Sequence, residues 1–124
     1  MSATAPSDRR SLPGLTAGYT YADNPFGFPA KSLTEAGDLA WHPGLEWTGG
    51  ELISNANDLA KWGHALFSGR ALSSEALDEM LQAQIIDPAN PEARYGFGVA
   101  LYRSESQGDI LGHAGWIPGY VSSL

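Results

Sequence analysis

The distribution of proline and glycine constrains this chain more than any other feature of its sequence. Residues 1–50 contain five of the eight prolines and seven of the fifteen glycines, and they show neither helical nor strand periodicity. Stretches without regular structure longer than about 12–15 residues are uncommon inside compact domains. We therefore predict an irregular segment over residues 1–54 that wraps another surface, with part of that surface missing from this chain.

Composition predicts a folded protein and argues against several classes of partner. The chain has 124 residues, of which 43% are hydrophobic and 17% charged, as in one ordinary globular domain. Its formal net charge of -7 provides no positive surface for nucleic acid or for an anionic membrane. Because the chain has no cysteine, disulfides, thiolate metal sites and a cysteine nucleophile are excluded.

Targeting signals are not visible in this sequence. Residues 1–10 are polar and lack the apolar core of a signal peptide, and no apolar run approaches the 18 residues that would span a bilayer. We predict that the chain is soluble, and the sequence leaves its compartment open.

Two helices are predicted after residue 54. Asn55 is a suitable N-cap, and apolar residues at helical spacing follow it, which predicts a helix over residues 56–68. Gly69 is a natural stop for that helix. A second, short amphipathic helix is predicted after Ser73-Ser74, a pair that can cap it.

Antiparallel strands are predicted in the last third of the chain. Large and small side chains alternate over residues 95–101, which indicates one strand with a bare face. Residues 109–113 are predicted to return from a hairpin whose tip lies at Gln107-Gly108, and residues 120–124 begin a further strand. Together with the helices, this pattern predicts an α+β fold with about three antiparallel strands.

Residues 112–120 are the best candidate for chemistry. His113 and Ala114 lie between glycines, so a ligand could reach the backbone there, and imidazole can exchange protons near neutral pH. The alternative is structural: a small-residue strand ends in a Gly-Trp-Ile-Pro-Gly turn, and His113 only satisfies a neighbouring carbonyl.

Other candidate arrangements have less support. Ser54, His113 and Asp58 could form a catalytic triad, but their spacing does not favour one. The three histidines lack the helical spacing of a zinc pair, and no phosphate-binding loop is present, so neither a metal nor a cofactor is predicted. His64 is predicted to be solvated. The aromatic residues of the irregular segment either anchor loops or line a pocket for an organic ligand.

Four segments in order resemble the later part of a known family. They are TGGELISNANDLAKW at residues 48–62, YGFG at 95–98, HAG at 113–115 and PGY at 118–120. Their order and spacing resemble the serine β-lactamase-related family, which includes class C β-lactamases and penicillin-binding-protein-like peptidases and esterases. The resemblance implies an incomplete β-lactamase/transpeptidase-like fold within a single partial domain over residues 1–124.

The resemblance also implies roles for particular residues. In that family the motifs Ser-x-x-Lys, Tyr-x-Asn and Lys/His-Thr/Ser-Gly meet at the catalytic centre, and His113-Ala114-Gly115 matches the third. His113 and Gly115 would then be catalytic, polarising the acyl-transfer centre and supplying part of the oxyanion environment. Ala114, Trp116 and Tyr120 would contact substrate. Since Ala114 lacks the usual hydroxyl, ester or amide hydrolysis is a better expectation than β-lactam hydrolysis.

Two of the three motifs are missing. Neither lysine follows a serine by three residues, and Tyr21-Ala22-Asp23 only imitates Tyr-x-Asn. The leading hypothesis is therefore a segment of a serine hydrolase that is inactive alone and would act on a small ester, amide or β-lactam if completed. Alternatives are a non-catalytic module that binds ligands or assembles as a homo-oligomer, and complementation by a separate N-terminal half.

Overall fold

The computed structural model describes residues 2–124, which divide into two compact units. One unit comprises the residues up to Asp58 together with Gly115–Ser122, and the other comprises Leu59–Ala114 with Ser123–Leu124. The regular elements, in chain order, are β1 (Ala5–Pro6), β2 (Leu52–Ile53), α1 (Ala56–Phe67), α2 (Ser74–Met80), β3 (Gln84–Ile85), β4 (Arg94–Tyr95), β5 (Ala100–Ser104), β6 (Gly108–Gly112), β7 (Ala114–Ile117) and β8 (Tyr120–Ser123), with short 3-10 turns at Pro43–Leu45 and Trp47–Gly49.

The first unit contains mostly turns and short bridges around a small apolar core. Leu12, Leu39 and Trp41 form its buried centre. The partly buried side chains packed against this centre are Leu15, Phe28, Leu33, Ala40, Ile53, Ile117 and Tyr120. Large side chains spread along an irregular segment thus converge on one core, which offsets part of the entropy cost of ordering so many turns.

The N-terminal segment of this unit is held by a buried carboxylate. Strand β1 pairs antiparallel with β2, placing Ala5 opposite Ile53. Asp58 is almost fully buried, and its Oδ2 accepts hydrogen bonds from the Ala3 backbone N–H at 2.8 Å and the Thr4 hydroxyl at 3.1 Å. The segment is therefore anchored by hydrogen bonds to the Asp58 carboxyl group as well as by strand pairing.

Both predicted helices are confirmed, with the predicted caps. Asn55 Oδ1 accepts the Asp58 backbone N–H at 2.9 Å at the start of α1. Gly69 follows α1 with φ of +72°, the left-handed conformation that ends many helices. Ser73 Oγ accepts the Ala76 backbone N–H at 3.2 Å and caps α2. Neither helix is long and apolar enough to cross a membrane, within the residues described here.

The second unit carries a four-stranded antiparallel meander in the order β3-β4-β5-β6. The prediction of one strand over residues 95–101 was wrong. Arg94 faces Leu101 across β4 and β5, so residues 96–99 form the turn of a hairpin. The Gly96 N–H donates to the Val99 carbonyl at 2.8 Å, and Gly98 has φ of +75°. The glycines at alternate positions allow the chain to reverse direction here, whereas the same alternation of large and small side chains predicts a strand.

The remaining strands follow the predicted order. Strands β5 and β6 form a five-pair hairpin, with Ser104 facing Gly108 beside the predicted tip and Ala100 facing Gly112 at the other end. Strands β7 and β8 form a separate two-stranded sheet. Helices and antiparallel strands occupy distinct parts of the chain, which confirms the α+β class.

Candidate functional site

His113 lies between β6 and β7, and its ring contacts a tyrosine from the same unit. His113 Nε2 lies 2.6 Å from the Tyr95 hydroxyl, and the two rings meet edge to face at 5.8 Å between centroids. The strand register brings the two residues close together, because Tyr95 faces Ala100 and Ala100 faces Gly112, the residue before His113. His113 lies just after the last residue of β6, so the alternation of faces along that strand does not fix where its ring points.

The backbone at His113 is also fixed. Its N–H donates to the Leu124 carbonyl and its carbonyl accepts the Leu124 N–H, both at 3.0 Å. The preceding Gly112 permits this pairing, since a Cβ there would collide with the Leu124 carbonyl oxygen. Main chain and ring of His113 are each held by a separate contact, while the side chain stays exposed.

Strand β7 follows directly and carries three of the predicted site residues. Ala114 is exposed, and Gly115 lies against Ser122, whose Oγ occupies the space that a Gly115 Cβ would need. Within residues 2–124, β7 pairs with β8 alone. Its other edge therefore presents backbone N–H and C=O groups without a strand partner.

Trp116 lines a groove of about 460 Å³ in the first unit. Its indole is 59% exposed and packs against Phe26 with ring centroids 5.4 Å apart. The other lining residues are Thr20, Tyr21, Asp23, Asn24, Pro25 and Pro118. The groove thus has mainly apolar walls, and Asp23 supplies its charged group.

Tyr120 forms part of a hydrogen-bonded chain inside the first unit. Its hydroxyl donates to the Thr16 carbonyl at 2.9 Å and lies 2.6 Å from Ser32 Oγ. A phenol has one proton, so the Ser32 hydroxyl must donate to Tyr120 Oη. Ser32 Oγ in turn accepts the Gly18 N–H at 2.7 Å. The ring packs against the core, so Tyr120 has a structural role whether or not it contacts substrate.

The triad considered from sequence finds no support in the hydrogen bonding of the described residues. Ser54 Oγ lies 2.8 Å from the Thr4 hydroxyl, and the Asp58 carboxylate binds that same hydroxyl and the Ala3 N–H. The ring of His113 bonds Tyr95 instead of a serine or a carboxylate. Across residues 2–124, no group of three or more acidic or histidine side chains is arranged to hold a metal ion.

The family follows from comparison with known proteins. The family model described as Beta-lactamase matches residues 2–124, almost the entire chain. The chain belongs to the beta-lactamase family. This confirms the resemblance found in its four sequence segments.

A solved structure supports the same conclusion. The chain is similar to the crystal structure of a D-stereospecific amidohydrolase from Streptomyces sp., with a TM-score of 0.77 and 28% sequence identity. The match covers 94% of this chain and 33% of the amidohydrolase chain, so this chain spans about a third of that protein's length. A partial β-lactamase/transpeptidase-like fold is thereby confirmed. Among curated proteins, none matches this chain.

Tyr95 contacts His113, and no signal in the sequence predicts this contact. The alternation over residues 95–101 predicts Tyr95 within a continuous strand and assigns no partner to its hydroxyl. No local spacing connects residues 95 and 113, since two hairpins lie between them. The roles of His113, Gly115, Ala114, Trp116 and Tyr120 in catalysis or substrate binding stay predictions.

Proposed function

We propose that this chain is one segment of a β-lactamase-like serine hydrolase, in which the strand after His113 forms one wall of the acyl-transfer site. The nucleophilic serine and its lysine would come from outside this chain. A bound amide, ester or β-lactam would be attacked by that serine, and water would then release the acyl group. His113 and Gly115 would act at the reacting carbonyl, and Ala114 would border it.

The free edge of β7 is the observation that carries this proposal. Small residues at Ala114 and Gly115 keep side-chain bulk away from that edge, and its backbone groups have no strand partner within residues 2–124. An extended substrate can pair with such an edge, as peptides do when they add a strand to a sheet. A backbone N–H fixed in this way can also stabilise the negative charge that develops on a carbonyl oxygen.

The substrate we propose is an amide or ester that carries an apolar group. Ala114 offers no hydroxyl to the carboxylate of a β-lactam, which makes that class a weaker fit. The groove beside Trp116 and Phe26 suits an apolar substituent, because aromatic walls remove it from water. The similar Streptomyces protein is named as a D-stereospecific amidohydrolase, which favours amides of D-amino acids as the first substrates to test.

We propose that the chain is inactive alone. No serine in the sequence is followed by lysine three residues later, and Tyr21-Ala22-Asp23 has a carboxylate where the second motif has an amide. Removing the nucleophile of a serine hydrolase lowers kcat by about 10⁶-fold. Purified chain should therefore hydrolyse nitrocefin, p-nitrophenyl esters and D-phenylalanine p-nitroanilide no faster than buffer. Turnover that disappears in His113→Ala would contradict this.

A chimera tests whether this chain, once completed, forms part of an active site that uses His113. The matching third of the Streptomyces amidohydrolase is replaced by this chain, and folding is checked by near-ultraviolet circular dichroism. The folded chimera should hydrolyse a D-amino-acid amide, and His113→Ala should lower its kcat about a hundredfold, as for loss of a group at the reacting carbonyl. His64→Ala, on the exposed side of α1, is the matched control. Equal rates for the two variants would exclude the proposed role of His113.

A second candidate function is a non-catalytic module that assembles with another copy. Val121 on β8 is 81% exposed, and Ile85 and Ile86 at the β3 edge are also exposed, which favours sheet pairing between chains. Residues 95–101 offer no such edge, since β4 and β5 are inner strands of the meander. Light scattering separates the candidates, because a monodisperse monomer would count against assembly and a stable dimer would favour it.

A further inference from the structure

We infer that Tyr95 fixes the tautomer of His113, donating its hydroxyl proton to Nε2 and so placing the ring's own proton on Nδ1. Tyr95 is then a positioning residue that acts through His113. The hydrogen-bonding part of this inference stands on the structure of the second unit, and its catalytic consequence rests on the function proposed above.

The first step is the geometry of the contact. The 2.6 Å separation between Nε2 and the Tyr95 hydroxyl lies at the short end for a hydrogen bond. Tyr95 Oη makes no other hydrogen bond with residues 2–124, so this contact has no competitor within the described chain. Tyr95 is half-buried on β4 and the backbone of His113 is paired with Leu124, so both ends of the contact have restricted motion.

The direction of the proton follows from the chemistry of the two groups. A phenol hydroxyl is a stronger hydrogen-bond donor than the N–H of a neutral imidazole, and an unprotonated ring nitrogen is a stronger acceptor than a phenol oxygen. Tyr95 therefore donates and Nε2 accepts. A neutral imidazole carries one N–H, and with Nε2 accepting, that N–H must be at Nδ1.

His42 provides an internal reference with the opposite arrangement. Its Nδ1 accepts the Gly44 backbone N–H at 3.1 Å, and a backbone amide can only donate. Neutral His42 must therefore carry its proton on Nε2. Two histidines of the same chain are thus expected in opposite tautomers, each determined by the partner of one ring nitrogen.

The consequence for the proposed site is a single N–H donor in a defined position. With Nε2 occupied by Tyr95, Nδ1–H is the ring group that remains to meet a substrate oxygen. An isolated histidine in water divides its proton between both nitrogens and turns freely about χ1 and χ2. Restricting both freedoms before substrate binds lowers the entropy cost of using the ring as a donor.

Long-range ¹H–¹⁵N correlation spectra of the histidine rings test the inference in the intact chain. At about pH 9, above the usual imidazole range, His113 should show a protonated Nδ1 and an unprotonated Nε2, while His42 shows the reverse. Tyr95→Phe should return His113 to a mixture rich in the Nε2–H form. Tyr102→Phe is the matched control, because the Tyr102 hydroxyl is on the exposed part of β5 and makes no hydrogen bond within residues 2–124.

The possible results separate the inference about the His113 tautomer from the proposed function. A protonated Nε2 at His113 in the unsubstituted chain would overturn the inference without any variant, as would a tautomer that Tyr95→Phe leaves unchanged. In the folded chimera, Tyr95→Phe should lower kcat about tenfold, less than His113→Ala does. If the tautomer signature is present but His113→Ala leaves the chimera's rate unchanged, the proposed function fails and the inference stands. If the signature is absent while His113→Ala slows the chimera, the inference alone fails.

Discussion

The buried hydroxyl of Ser32 offers the sharpest test of how the first unit is held together. Ser32 is 1% exposed, and its Oγ both accepts the Gly18 N–H at 2.7 Å and donates to Tyr120 Oη at 2.6 Å. Ser32→Ala removes both bonds without adding volume. The Gly18 N–H is buried and would then have no partner, so the variant should show the penalty for an unsatisfied buried donor.

The expected loss of stability depends on which hydrogen-bonding groups lose their partner when each hydroxyl is removed. An unsatisfied buried group costs about 1–3 kcal/mol, so Ser32→Ala should lower the free energy of unfolding by about 2 kcal/mol. Tyr120→Phe breaks the bond to the carbonyl of Thr16, an exposed residue that water can reach, and it also removes the acceptor of the buried Ser32 hydroxyl. Its cost should therefore also be about 2 kcal/mol, because it too leaves one buried donor unsatisfied. The two single variants are expected to cost similar amounts, although Ser32→Ala removes the smaller side chain.

Urea denaturation followed by tryptophan fluorescence measures these costs, and a double-mutant cycle tests their coupling. Because the two hydroxyls share one bond, Ser32→Ala with Tyr120→Phe should cost about 1 kcal/mol less than the sum of the single variants. Tyr102→Phe is the matched control, and it should stay within about 0.5 kcal/mol of the unsubstituted chain. A Ser32→Ala variant as stable as this control, or strictly additive single costs, would refute the hydrogen-bonded chain.

Three further predictions concern the second unit and use the same denaturation assay. Phe97→Ser should change stability by less than about 0.5 kcal/mol, because Phe97 is 68% exposed in the β4–β5 turn, while Val99→Ala at 3% exposure should cost about 1.6 kcal/mol or more. Ser73→Ala should cost about 1 kcal/mol through loss of the α2 cap. Gly112→Ala should cost about 1–3 kcal/mol, because its Cβ would collide with the facing backbone oxygen.

Each of these predictions has its own control. A large cost for Phe97→Ser would mean that the 95–101 segment is a continuous strand after all. Ser74→Ala, beside the cap, makes no capping bond and should be close to neutral. Gly49→Ala has only ordinary contacts, with the nearest atom 3.6 Å from the added Cβ, and should be tolerated. Equal costs at Gly49 and Gly112 would show that the close approach to Leu124 is not what requires glycine.

The helices and the hairpin could be predicted because their signals are local. Asn55, Gly69 and Ser73 each stand within a turn of the backbone groups they satisfy, so cap and stop positions follow from short-range chemistry. The family could also be recognised, because four short segments keep their order. The strand prediction at residues 95–101 also used a local pattern, but that pattern was ambiguous. Alternating large and small side chains fit both a strand and a turn that contains glycine, and pairing with distant residues decides which of the two forms.

The contacts of the candidate site could not be predicted in the same way. Tyr95 reaches His113 through two hairpins whose registers add together, and Tyr120 reaches Ser32 across 88 positions in the sequence. Trp116 meets Phe26 across a similar distance. Side-chain partners this far apart depend on how the turns place each strand, and no residue type or spacing encodes that placement on its own.

By itself the sequence determined the α+β class, both helices, the family and the absence of a Ser-x-x-Lys motif, since each depends on neighbouring residues or on their order. Tertiary structure alone decided that Tyr95 is the partner of His113, that Tyr120 is held by Ser32, and that one edge of β7 has no strand partner among residues 2–124. The physical reason is the separation along the sequence between the groups that interact. Capping and turn formation act over a few residues, whereas a hydrogen bond between side chains requires a separation near 3 Å that only the folded chain brings about.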